Sequence, residues 1–462
     1  MTDMTIQPDR LENIKKVHFV GIGGAGMCAL AEILFHKGYD LTGSDNNESD
    51  TLARIRAMGI PVQMGHRPEN IGDAELVVHT AAVHADNAEL VAARAKGVPV
   101  MERAQLLGLV ADRFPDSFAV AGTHGKTTTT CMLTQIFLTA GLDPTAVIGG
   151  KLPAIGGNSR VGASTFLTAE ACEYNDSFLH MHPAVSVILN IDNDHLEYFK
   201  TMENLKAHFR TFAEQTSRAV VCNGDDANTM EALRGYARPL VTFGFSSGCN
   251  FSAADLRIEP MSHAEFTIRH GGRDFAHIRL RIPGRHNVLN ALAAAAAASL
   301  AGVKAADIEE GINSYAGAGR RFEILGQVNG ITVADDYAHH PAELRATLTA
   351  AKEMGYHAVW AVFQPFTFSR TVLLMDEFAQ VLRIPDHVVL AEIMGSREVN
   401  TYHVYSKDLA AKVPGSVWFP DFEQIAAYVL EHAQPGDLVI TLGCGDIYKA
   451  AKRMLRTPAR EA

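Results

Sequence analysis

Apolar and polar positions alternate along this chain in a rhythm that is typical of parallel sheets. Short apolar runs are followed by a turn containing glycine or aspartate and then by an amphipathic stretch. This order predicts strands that alternate with helices, and therefore an α/β fold with mainly parallel sheets. The length of 462 residues is enough for two to four domains.

The alternation falls into three blocks, which predict domains at 1–115, 116–318 and 319–462. The polar segment 111–117 predicts the first linker. A helix is predicted at 27–37, and the alanine-rich run 287–303 predicts a packed helix that is too short to span a bilayer. The predicted strands are 17–20, 39–43, 76–79 and 98–101 in the first block, 117–121, 164–170, 184–192 and 219–223 in the second, and 331–336, 358–364, 387–393 and 437–443 in the third.

Composition narrows the class of protein. With 47% hydrophobic and 20% charged residues, the chain is globular rather than disordered. A net charge of -11 argues against a nucleic-acid partner. The first 16 residues have no signal-peptide pattern, and the six cysteines are scattered without a C-x-x-C motif. We therefore expect a cytoplasmic protein with reduced thiols and no membrane insertion, either a monomer or a homodimer.

The segment "AVAGTHGKTTTTC" at 119–131 predicts a phosphate-binding loop between a strand and a helix. Gly122 and Gly125 leave room for a phosphate against bare backbone, and the following helix N-terminus favours an anion. Lys126 can reach the β- and γ-phosphates of ATP, and a threonine hydroxyl can bind Mg²⁺. The candidate ATP-binding residues of this loop are Gly122, Thr123, His124, Gly125, Lys126, Thr127 and Thr128.

Acidic residues after two later strands could complete a metal site. Glu170 and Glu173 follow one strand, and Asp192, Asp194 and His195 follow another. Ligands gather at the carboxyl ends of strands in open α/β sheets. Taken singly, Glu170 and Asp192 are more typical of solvated groups or helix caps.

A second glycine-rich turn, "HFVGIGGAGM" at 18–27, has the G-x-G-x-x-G spacing as Gly21, Gly23 and Gly26. Asp45 ends the next predicted strand, as in dinucleotide-binding folds. NAD is the default ligand for this pattern. The alternative is the diphosphate of a nucleotide sugar, because a nicotinamide enzyme gains nothing obvious from an ATP loop a hundred residues later.

A third cluster of polar residues follows strands of the last block. Acids, imidazoles and arginines at strand ends predict a second half-site for anionic substrates. The residues are Asp335, Asp336, His339 and His340 in "DDYAHHPAEL", Arg320 and Arg321 upstream, and Arg370 in "FQPFTFSRT".

Together these motifs resemble the Mur ligase family. The resemblance spans nearly the whole chain in the family's order, and it is highly specific as a set. The stretches that carry it are "HFVGIGGAGM", "GSD" at 43–45, "AGTHGKTTTT", "AEACEYNDSF", "NIDNDHLEYF", "GRHNVLNALAA", "GRRFE", "DDYAHHP" and "GCGDIY".

The resemblance implies an N-terminal Rossmann-like domain for a UDP moiety, a central P-loop ATPase-like domain, and a C-terminal Rossmann-like domain for an amino acid. It also implies a reaction of peptidoglycan precursor synthesis, in which ATP phosphorylates the lactyl carboxylate of UDP-N-acetylmuramate. The amine of L-alanine then attacks the acyl phosphate, and the amide, ADP and phosphate are released. The implied cofactors are ATP and Mg²⁺.

Site residues follow from the same resemblance. Lys126, Arg321 and His339 are expected to be catalytic, with His339 or His340 accepting the proton of the amine. Thr127, Glu173 and His195 would hold the metal ion. His286, Asn287 and Asn290 would contact adenine, Arg321 and Asp336 would reach ATP, and Tyr337, His339 and Arg370 would bind L-alanine. The UDP-substrate residues would be Gly21, Ile22, Gly23, Gly24, Ala25, Gly26, Ser44 and Asp45.

This chain departs from the family's usual pattern at two places. Cys172 stands where the family often has aspartate, and Phe366 and Thr367 stand where histidine and, in some members, arginine occur. The first departure concerns the metal shell, and the second concerns the recognition of L-alanine.

Several other functions remain open from the sequence. Within the family, the chain could instead attach a recovered tripeptide to UDP-N-acetylmuramate, or add glutamate or a diamino acid. Folylpolyglutamate synthase fits less well, because its ATP loop lies near the chain start. The alternatives from other classes are a nicotinamide-dependent oxidoreductase and a P-loop protein that hydrolyses ATP to change partners.

Overall fold

A computed structural model describes residues 11, 13–258, 263–396 and 398–457. Three β-sheets with helices between their strands confirm the predicted α/β class. The described residues form two compact units. The first holds the chain up to 254 with 267–276 and 289–314, and the second holds 255–266, 277–288 and the chain from 315 onward.

The N-terminal sheet belongs to the first unit and has five strands. Its elements are β1 (Lys16–Val20), α1 (Ala25–His36), β2 (Asp40–Asp45), α2 (Asp50–Ala57), β3 (Val62–Met64), a 3₁₀ helix (Pro68–Ile71), β4 (Leu76–His79), α3 (Ala88–Ala95), β5 (Val100–Glu102) and α4 (Arg103–Ala111).

All five strands are parallel, in the order β3-β2-β1-β4-β5. From β1 the chain adds strands β2 and β3 on one side and then β4 and β5 on the other. The space between β1 and β4 is therefore the topological switch point of a Rossmann-like sheet. Ligands bind outside the carboxyl ends of the strands at such a point. The glycine-rich turn after β1 is therefore placed where a nucleotide is expected.

The central sheet has ten strands. Its elements are β6 (Asp116–Ala121), α5 (Lys126–Thr139), β7 (Thr145–Leu152), a 3₁₀ helix (Pro153–Ile155), β8 (Gly157–Arg160), β9 (Phe166–Glu170), a 3₁₀ segment (Tyr174–His180), β10 (Val185–Ile188), α6 (Leu196–Phe199), α7 (Met202–Gln215), β11 (Ala219–Asn223), α8 (Ala227–Ala232), β12 (Leu240–Gly244), β13 (Phe251–Arg257), β14 (Glu265–His270), β15 (Arg273–Arg279), α9 (His286–Leu300) and α10 (Ala305–Ser314).

Strand order in this sheet is β15-β14-β13-β12-β11-β10-β6-β9-β7-β8, so β6 lies inside the sheet between β10 and β9. In helix α5, Lys126 is followed by four threonines, which are poor helix formers. Thr130 and Thr134 donate their hydroxyls to the carbonyls of Lys126 and Thr130, at 2.9 and 2.7 Å. Because the helix is buried, these bonds satisfy polar groups that water cannot reach.

The N-terminal and central sheets pack closely inside the first unit. Helix α4 lies against the 3₁₀ segment at 174–180, and a Cβ at Gly108 would sit 2.0 Å from the carbonyl oxygen of His180. On α1, Glu32 accepts hydrogen bonds from Arg54 at 2.6 and 2.7 Å and another from Ser159 of β8. Only glycine permits the backbone approach at 108, so this contact fixes how the two sheets meet.

The C-terminal sheet lies in the second unit and has six strands. Its elements are β16 (Glu323–Val328), β17 (Ile331–Asp336), α11 (Pro341–Glu353), β18 (Val359–Phe363), α12 (Phe368–Leu373), α13 (Met375–Val381), β19 (His387–Ala391), α14 (Ser406–Ala410), β20 (Val417–Phe419), α15 (Phe422–His432), β21 (Leu438–Leu442) and α16 (Tyr448–Arg456). Strand order is β16-β17-β21-β18-β19-β20, and only β16 pairs in the antiparallel sense among the described pairings of this sheet.

The predicted strands at 76–79, 219–223 and 331–336 match the observed bounds, and the alanine-rich run forms α9. The segment 111–117, predicted as a linker, is shorter in the structure, because α4 ends at 111 and β6 begins at 116. The strand pairs at 145–160 and 240–279 were not predicted. Among the described residues, no helix has both the length and the apolar character that crossing a bilayer requires.

Candidate active site

The loop between β6 and α5 has the geometry of a phosphate cradle. Gly122 has φ +139° and Gly125 has φ +86°, values that favour glycine. Gly125 precedes the first residue of α5, so the helix N-terminus opens directly onto the loop. Backbone N–H groups and the helix dipole therefore face the same space, as anion binding requires.

Asn190, which follows β10, holds this loop in shape. Its side-chain oxygen accepts the N–H of His124 at 2.8 Å, and its amide donates to the carbonyl of His124 at 3.1 Å. Its own carbonyl accepts the N–H of Thr123 at 3.1 Å. The sequence analysis missed Asn190. Its place near the end of the predicted strand 184–192, two residues before the acidic Asp192, was the available signal.

Lys126 is the cation of the cradle. Its ammonium group lies 3.0 and 2.9 Å from the two carboxylate oxygens of Glu173 and donates to the carbonyls of Gly122 at 2.6 Å and Thr123 at 3.1 Å. Burial lowers the pKa of Lys126, but Glu173, with smaller contributions from Cys172 and Glu170, more than offsets this, so the net pKa is raised. The lysine is therefore a fixed positive charge at the mouth of the loop.

The predicted metal residues lie around this pair. Thr127 and Glu173 are buried, at 5% and 2% exposure, and the His195 ring lies 4.7 Å from that of Tyr174, the residue next to Glu173. In the described part of the chain, no group of three His, Cys, Asp or Glu side chains could hold a metal ion by itself. The metal assignment therefore stays a prediction. Mg²⁺ commonly keeps few protein ligands and takes others from phosphate and water.

The predicted adenine-side residues lie at the start of α9. Asn290 reaches the cradle, since a Cβ at Gly125 would sit 2.5 Å from its side-chain oxygen, and this oxygen accepts the Thr129 hydroxyl at 3.3 Å. Asn287 donates to the carbonyl of Pro283 at 2.6 Å and is part of the N-terminal turn of the helix, as is His286. Within the first unit, the fold thus joins Asn290 to the phosphate loop.

The glycine-rich turn after β1 is tied to the end of β2. The carbonyl of Ser44 accepts the N–H groups of Gly21 and Ile22 at 2.8 and 3.1 Å. The Ile22 side chain is fully buried and packs against Gly43, so only its backbone can meet a ligand. Gly21 has φ +81°, which lets the chain turn sharply into α1.

Asp45 has both carboxylate oxygens engaged with backbone. One accepts the N–H of Gly23 at 2.8 Å, and the other accepts that of Asn47 at 3.0 Å. Gly24 is the N-cap residue of α1, and Ala25 and Gly26 form its first turn. The helix N-terminus is thus presented to the space outside the sheet, as predicted for a diphosphate. Whether each of these residues contacts substrate stays a prediction.

A buried carboxylate that the sequence analysis missed supports this turn from below. Glu89 is fully buried, and its oxygens accept the hydroxyl of Ser44 at 2.6 Å and the amide of Asn70 at 2.5 Å. The ring nitrogens of His66 and His18 lie 3.1 and 3.8 Å away. Burial raises the pKa of Glu89, but His18, Ser44 and Asn70 outweigh it and hold the pKa at about 2. The ionised carboxylate therefore fixes the side chain of Ser44.

A pocket of about 260 Å³ lies between the two sheets of the first unit. Its N-terminal wall includes the first turn of α1 and Arg103, and its central wall includes Glu170 and Cys172. Burial raises the pKa of the Cys172 thiol to about 11, so the thiol is neutral near pH 7. The pocket extends from the first turn of α1 to Cys172, the residue that precedes Glu173.

In the second unit, Asp336 organises the loops at the end of β17. Its oxygens accept the N–H groups of Phe322 at 2.7 Å and Ala338 at 2.8 Å, and the residue is 6% exposed. Burial raises the pKa of this carboxyl to about 6, against the opposing effect of Arg321 and the two N–H donors. In this conformation, Asp336 therefore shapes the segments that carry Arg321 and His339. Its predicted contact with ATP remains untested.

The raised pKa predicts a specific pH dependence of stability. A carboxyl that titrates near 6 in the folded state and near 3.8 in the unfolded state stabilises the fold below pH 4, and this contribution is lost as the pH rises to 6. We expect the unfolding free energy of the wild type, minus that of Asp336→Asn, to fall by about 2 kcal/mol between pH 4 and 6.

Urea unfolding followed by tryptophan fluorescence measures this difference, because both tryptophans, Trp360 and Trp418, lie in the second unit. Subtracting the unfolding free energy of the variant at each pH removes the contribution of the other carboxylates. A difference that is constant over this pH range would contradict a raised pKa.

Two adjacent arginines differ in environment. Arg320 donates to Asp335 at 2.8 Å and to the carbonyl of Gly443 at 2.6 Å, so it ties the ends of β17 and β21 together. The Arg321 guanidinium carbon lies 5.2 Å from the ring centre of Tyr337. Its neighbours Arg320 and Phe322 both have positive φ. The turn therefore fixes Arg320 by hydrogen bonds and brings both guanidinium groups to the Tyr337 ring, with the Arg320 carbon 4.9 Å from its centre.

The predicted amino-acid residues gather at the carboxyl edge of this sheet. The His339 ring lies 5.7 Å from that of Tyr337 and 6.4 Å from that of Phe366. Its Nδ1 lies 3.0 Å from the carbonyl of Tyr337 and 3.3 Å from Glu343, so this nitrogen carries a proton. Nε2 is then the nitrogen that can accept one. His340 is buried and caps α11 through Nδ1, which makes it the poorer base candidate.

Arg370 lies on the short helix α12, which follows β18. Its positive charge acts to lower the pKa of the Cys444 thiol, which follows β21, and so opposes the effect of burial. The preceding Thr367 has φ +63°, a strained value for a β-branched residue, and its N–H donates to the carbonyl of Met394 at 2.9 Å. Residues in such conformations cluster at functional sites. This strand-end turn fits the predicted half-site.

Comparison with known proteins identifies the family. Three family models match in succession: "Mur ligase family, catalytic domain" over residues 16–115, "Mur ligase middle domain" over 120–298, and "Mur ligase, glutamate ligase domain" over 320–445. The order of the three matches is the order that the motifs predicted.

Two relatives match over almost their full length. UDP-N-acetylmuramate–L-alanine ligase of Acetivibrio thermocellus is 44% identical over 96% of this chain and 96% of its own. The enzyme of the same name from Caldanaerobacter subterraneus subsp. tengcongensis is 43% identical over 96% of this chain and 98% of its own.

Solved structures of related proteins have the same fold as this chain. The crystal structure of UDP-N-acetylmuramate-alanine ligase from Thermotoga maritima has a TM-score of 0.82 at 30% identity, covering 95% of this chain and 98% of that one. A murein peptide ligase from Psychrobacter arcticus has a TM-score of 0.75 at 24% identity, covering 96% and 98%, and shows the shared fold. The predicted three-domain α/β architecture is confirmed, and the chain belongs to the Mur ligase family.

Proposed function

We propose that this protein is the ligase that joins L-alanine to the lactyl carboxylate of UDP-N-acetylmuramate, with ATP as the energy source, in peptidoglycan precursor synthesis. The observation that carries the proposal is the pocket inside the first unit. It runs from the glycine-rich turn, where a diphosphate fits, to Glu170 and Cys172 of the central sheet, beside the Lys126–Glu173 pair. A substrate anchored by its nucleotide can thus extend toward the phosphate loop.

The first step requires charge neutralisation rather than a base. The lactyl carboxylate is already ionised at neutral pH, so it can attack the γ-phosphorus of ATP directly. Lys126 would offset the negative charge on the transferring phosphoryl group, and the N-terminus of α5 would hold the remaining phosphates. The bond that forms joins a carboxylate oxygen to phosphorus, and ADP leaves.

The residues near the loop suit Mg²⁺, which prefers oxygen ligands. The Thr127 hydroxyl and the Glu173 carboxylate would hold it, with His195 as a less typical ligand. When bound, Mg²⁺ would neutralise phosphate charge. Glu173 pairs with Lys126 in this structure, so its carboxylate would have to share or exchange partners.

The second step requires a deprotonated amine. L-alanine would bind among Tyr337, His339 and Arg370, with Arg370 pairing with its carboxylate. His339 would accept the ammonium proton at Nε2, because its Nδ1 proton is held by Tyr337 and Glu343. The amine then attacks the acyl carbon, and phosphate leaves. Arg321 would stabilise charge on the phosphoryl group.

The alternatives are not favoured. The curated relatives described above are named as L-alanine ligases, which supports alanine rather than a tripeptide. A nicotinamide enzyme would need Asp45 for a ribose hydroxyl. Here both oxygens of that carboxylate hold backbone N–H groups instead.

Three further expectations belong to this proposal. The domain limits 1–115, 116–318 and 319–462 lie close to the limits of the family matches. We also expect a cytoplasmic location, where the nucleotide substrates occur, and a monomer or homodimer without nucleic acid.

Phosphate release with mass analysis of the product tests the function. We expect phosphate only when ATP, UDP-N-acetylmuramate and L-alanine are all present, and a product heavier by one alanine residue. Glycine, L-serine and the tripeptide are the comparison acceptors. Turnover with the tripeptide but none with L-alanine would contradict the choice of substrate. Phosphate release that is independent of the UDP-sugar would instead indicate a simple ATPase.

A further inference from the structure

Two segments carry the predicted metal residues Glu173 and His195, and both contain residues in the left-handed conformation. Glu173 directly precedes the 3₁₀ segment at 174–180, in which Asn175 and Asp176 have φ of +53° and +55°. His195 directly precedes α6 and has φ +56°. Such residues are uncommon outside glycine, and they persist where surrounding contacts hold them. The contacts between the two segments therefore indicate what this backbone geometry maintains.

Hydrogen bonds join the two segments. The hydroxyl of Tyr198 on α6 donates to Oδ2 of Asp176 at 2.6 Å. This bond is the largest of the effects that raise the pKa of the hydroxyl to about 12, so the hydroxyl keeps its proton near pH 7. The backbone N–H of Tyr198 donates in turn to the carbonyl of His195 at 2.9 Å. Two hydrogen bonds therefore link Asp176, three residues after Glu173, to His195 itself.

Ring contacts and an ion pair support the same arrangement. The ring of Tyr174 lies 4.7 Å from that of His195 and 6.1 Å from that of Tyr198. Oδ1 of Asp176 lies 3.3 Å from Nε2 of His208 on α7, and Nδ1 of this histidine lies 2.7 Å from a carbonyl oxygen one turn earlier in the helix. Asp176 is therefore held by α7 as well as by α6.

We propose that Asp176 and Tyr198 are positioning residues, which set the separation and orientation of Glu173 and His195 for the metal ion of the ATP site. This inference rests on the metal site of the proposed function. Groups that support metal ligands orient them, and their removal commonly lowers metal affinity by about 10- to 100-fold. The sequence analysis named neither residue as part of a site, because their contact joins segments 22 positions apart.

Calorimetric binding of adenylyl imidodiphosphate, a non-hydrolysable ATP analogue, tests the role of the bond. The ratio of its affinities with Mg²⁺ and with EDTA measures the advantage that the metal ion provides. Tyr198→Phe keeps the ring and removes the hydroxyl, so it should reduce this ratio by about tenfold. Its affinity in EDTA should change by less than about twofold, because the phosphate loop itself is untouched. A loss that is equal in Mg²⁺ and EDTA would indicate a merely structural role.

Tyr236→Phe is the matched control. The Tyr236 hydroxyl donates to the carbonyl of Ala213 at 2.7 Å in the same unit, so this variant also loses one tyrosine hydrogen bond. Neither residue belongs to the segments that carry Glu173 and His195. Both affinities of Tyr236→Phe should equal those of the wild type.

A double-mutant cycle shows whether the two residues act through one bond. Asp176→Gly removes the acceptor, and glycine readily adopts φ +55°. It should reduce the Mg²⁺ advantage as Tyr198→Phe does, and the double variant should lose no more than about twofold beyond either single variant. Asp176→Asn keeps an oxygen that can accept the hydroxyl, so its Mg²⁺ advantage should stay within about threefold of the wild type.

Each contrary result has a distinct meaning. A full Mg²⁺ advantage in Tyr198→Phe, or losses that add in the double variant, would overturn the inference. If the wild type itself binds the analogue equally well with Mg²⁺ and with EDTA, the metal site of the proposed function fails. Thermal unfolding identifies the variants that are folded at the assay temperature. Because Tyr198→Phe and Asp176→Gly break the same bond from opposite sides, either of them decides the question alone, and Asp176→Ser replaces a glycine variant that does not fold.

Discussion

Lys126→Ala is expected to lower phosphate release by about 1,000-fold or more, with all three substrates present. The reason is that its ammonium group is held at the mouth of the loop, where it can offset the charge of the phosphates. The ammonium group bonds two loop carbonyls and Glu173 at once, so its position is fixed before ATP arrives. Lys151→Ala, at an exposed lysine of β7 in the same unit, should leave turnover unchanged.

The same substitution also affects stability, and the structure suggests how to separate the effects. Removing Lys126 leaves the Glu173 carboxylate, 2% exposed, without its partner, which is expected to cost about 3–5 kcal/mol. The double variant Lys126→Ala/Glu173→Gln removes the unpaired charge and should recover much of this loss. Its turnover should stay as low as that of the single variant. Near-normal phosphate release in a folded Lys126→Ala protein would overturn the role of the loop.

Gly125→Ala is expected to abolish detectable ATP binding and to destabilise the first unit. The residue has φ +86°, and its new Cβ would lie 2.5 Å from the Asn290 side-chain oxygen. Both the backbone and the neighbouring helix therefore oppose the change. Nucleotide binding measured with a fluorescent ATP analogue, together with a thermal melt, would report the two effects separately.

Gly141→Ala is the matched control. Gly141 also has positive φ, at +71°, but it is exposed just after α5, and no atom lies within 4 Å of its would-be Cβ. Its replacement should cost about 1 kcal/mol of stability and leave ATP binding unchanged. If the two alanine variants behaved alike, the close approach at Gly125 would have no functional meaning.

The features that could be predicted from the sequence depend on residues that are close together along the chain. A phosphate loop is encoded by neighbours, since Gly122, Gly125 and Lys126 stand within five positions between a strand and a helix. The same holds for the turn at Gly21 and for His339 after β17. Apolar runs also sufficed to predict the central parallel strands, because strands such as β10, β18 and β21 are buried along their whole length.

What could not be predicted depends on contacts between distant segments. Glu89 supports Ser44 together with groups from positions 18, 66 and 70, and nothing in its own neighbourhood marks it as buried. Asn190 braces a loop that lies 66 positions earlier. Asp336 was expected at ATP, but the sequence could not show that Phe322 and Ala338 would surround its carboxylate. The strands at 240–279, which lie toward one edge of the central sheet, lack the continuous apolar runs of the sheet centre.

The contact at Gly108 has a consequence for inhibitor design. Because α4 meets the carbonyl of His180 with no side chain between them, the walls of the nearby cleft are held at a fixed spacing before any ligand binds. A rigid compound that is complementary in shape to this preformed cleft would lose little conformational entropy on binding. Scaffolds that bridge a phosphate mimic and a sugar mimic through a short ring should therefore outperform flexible chains of the same composition.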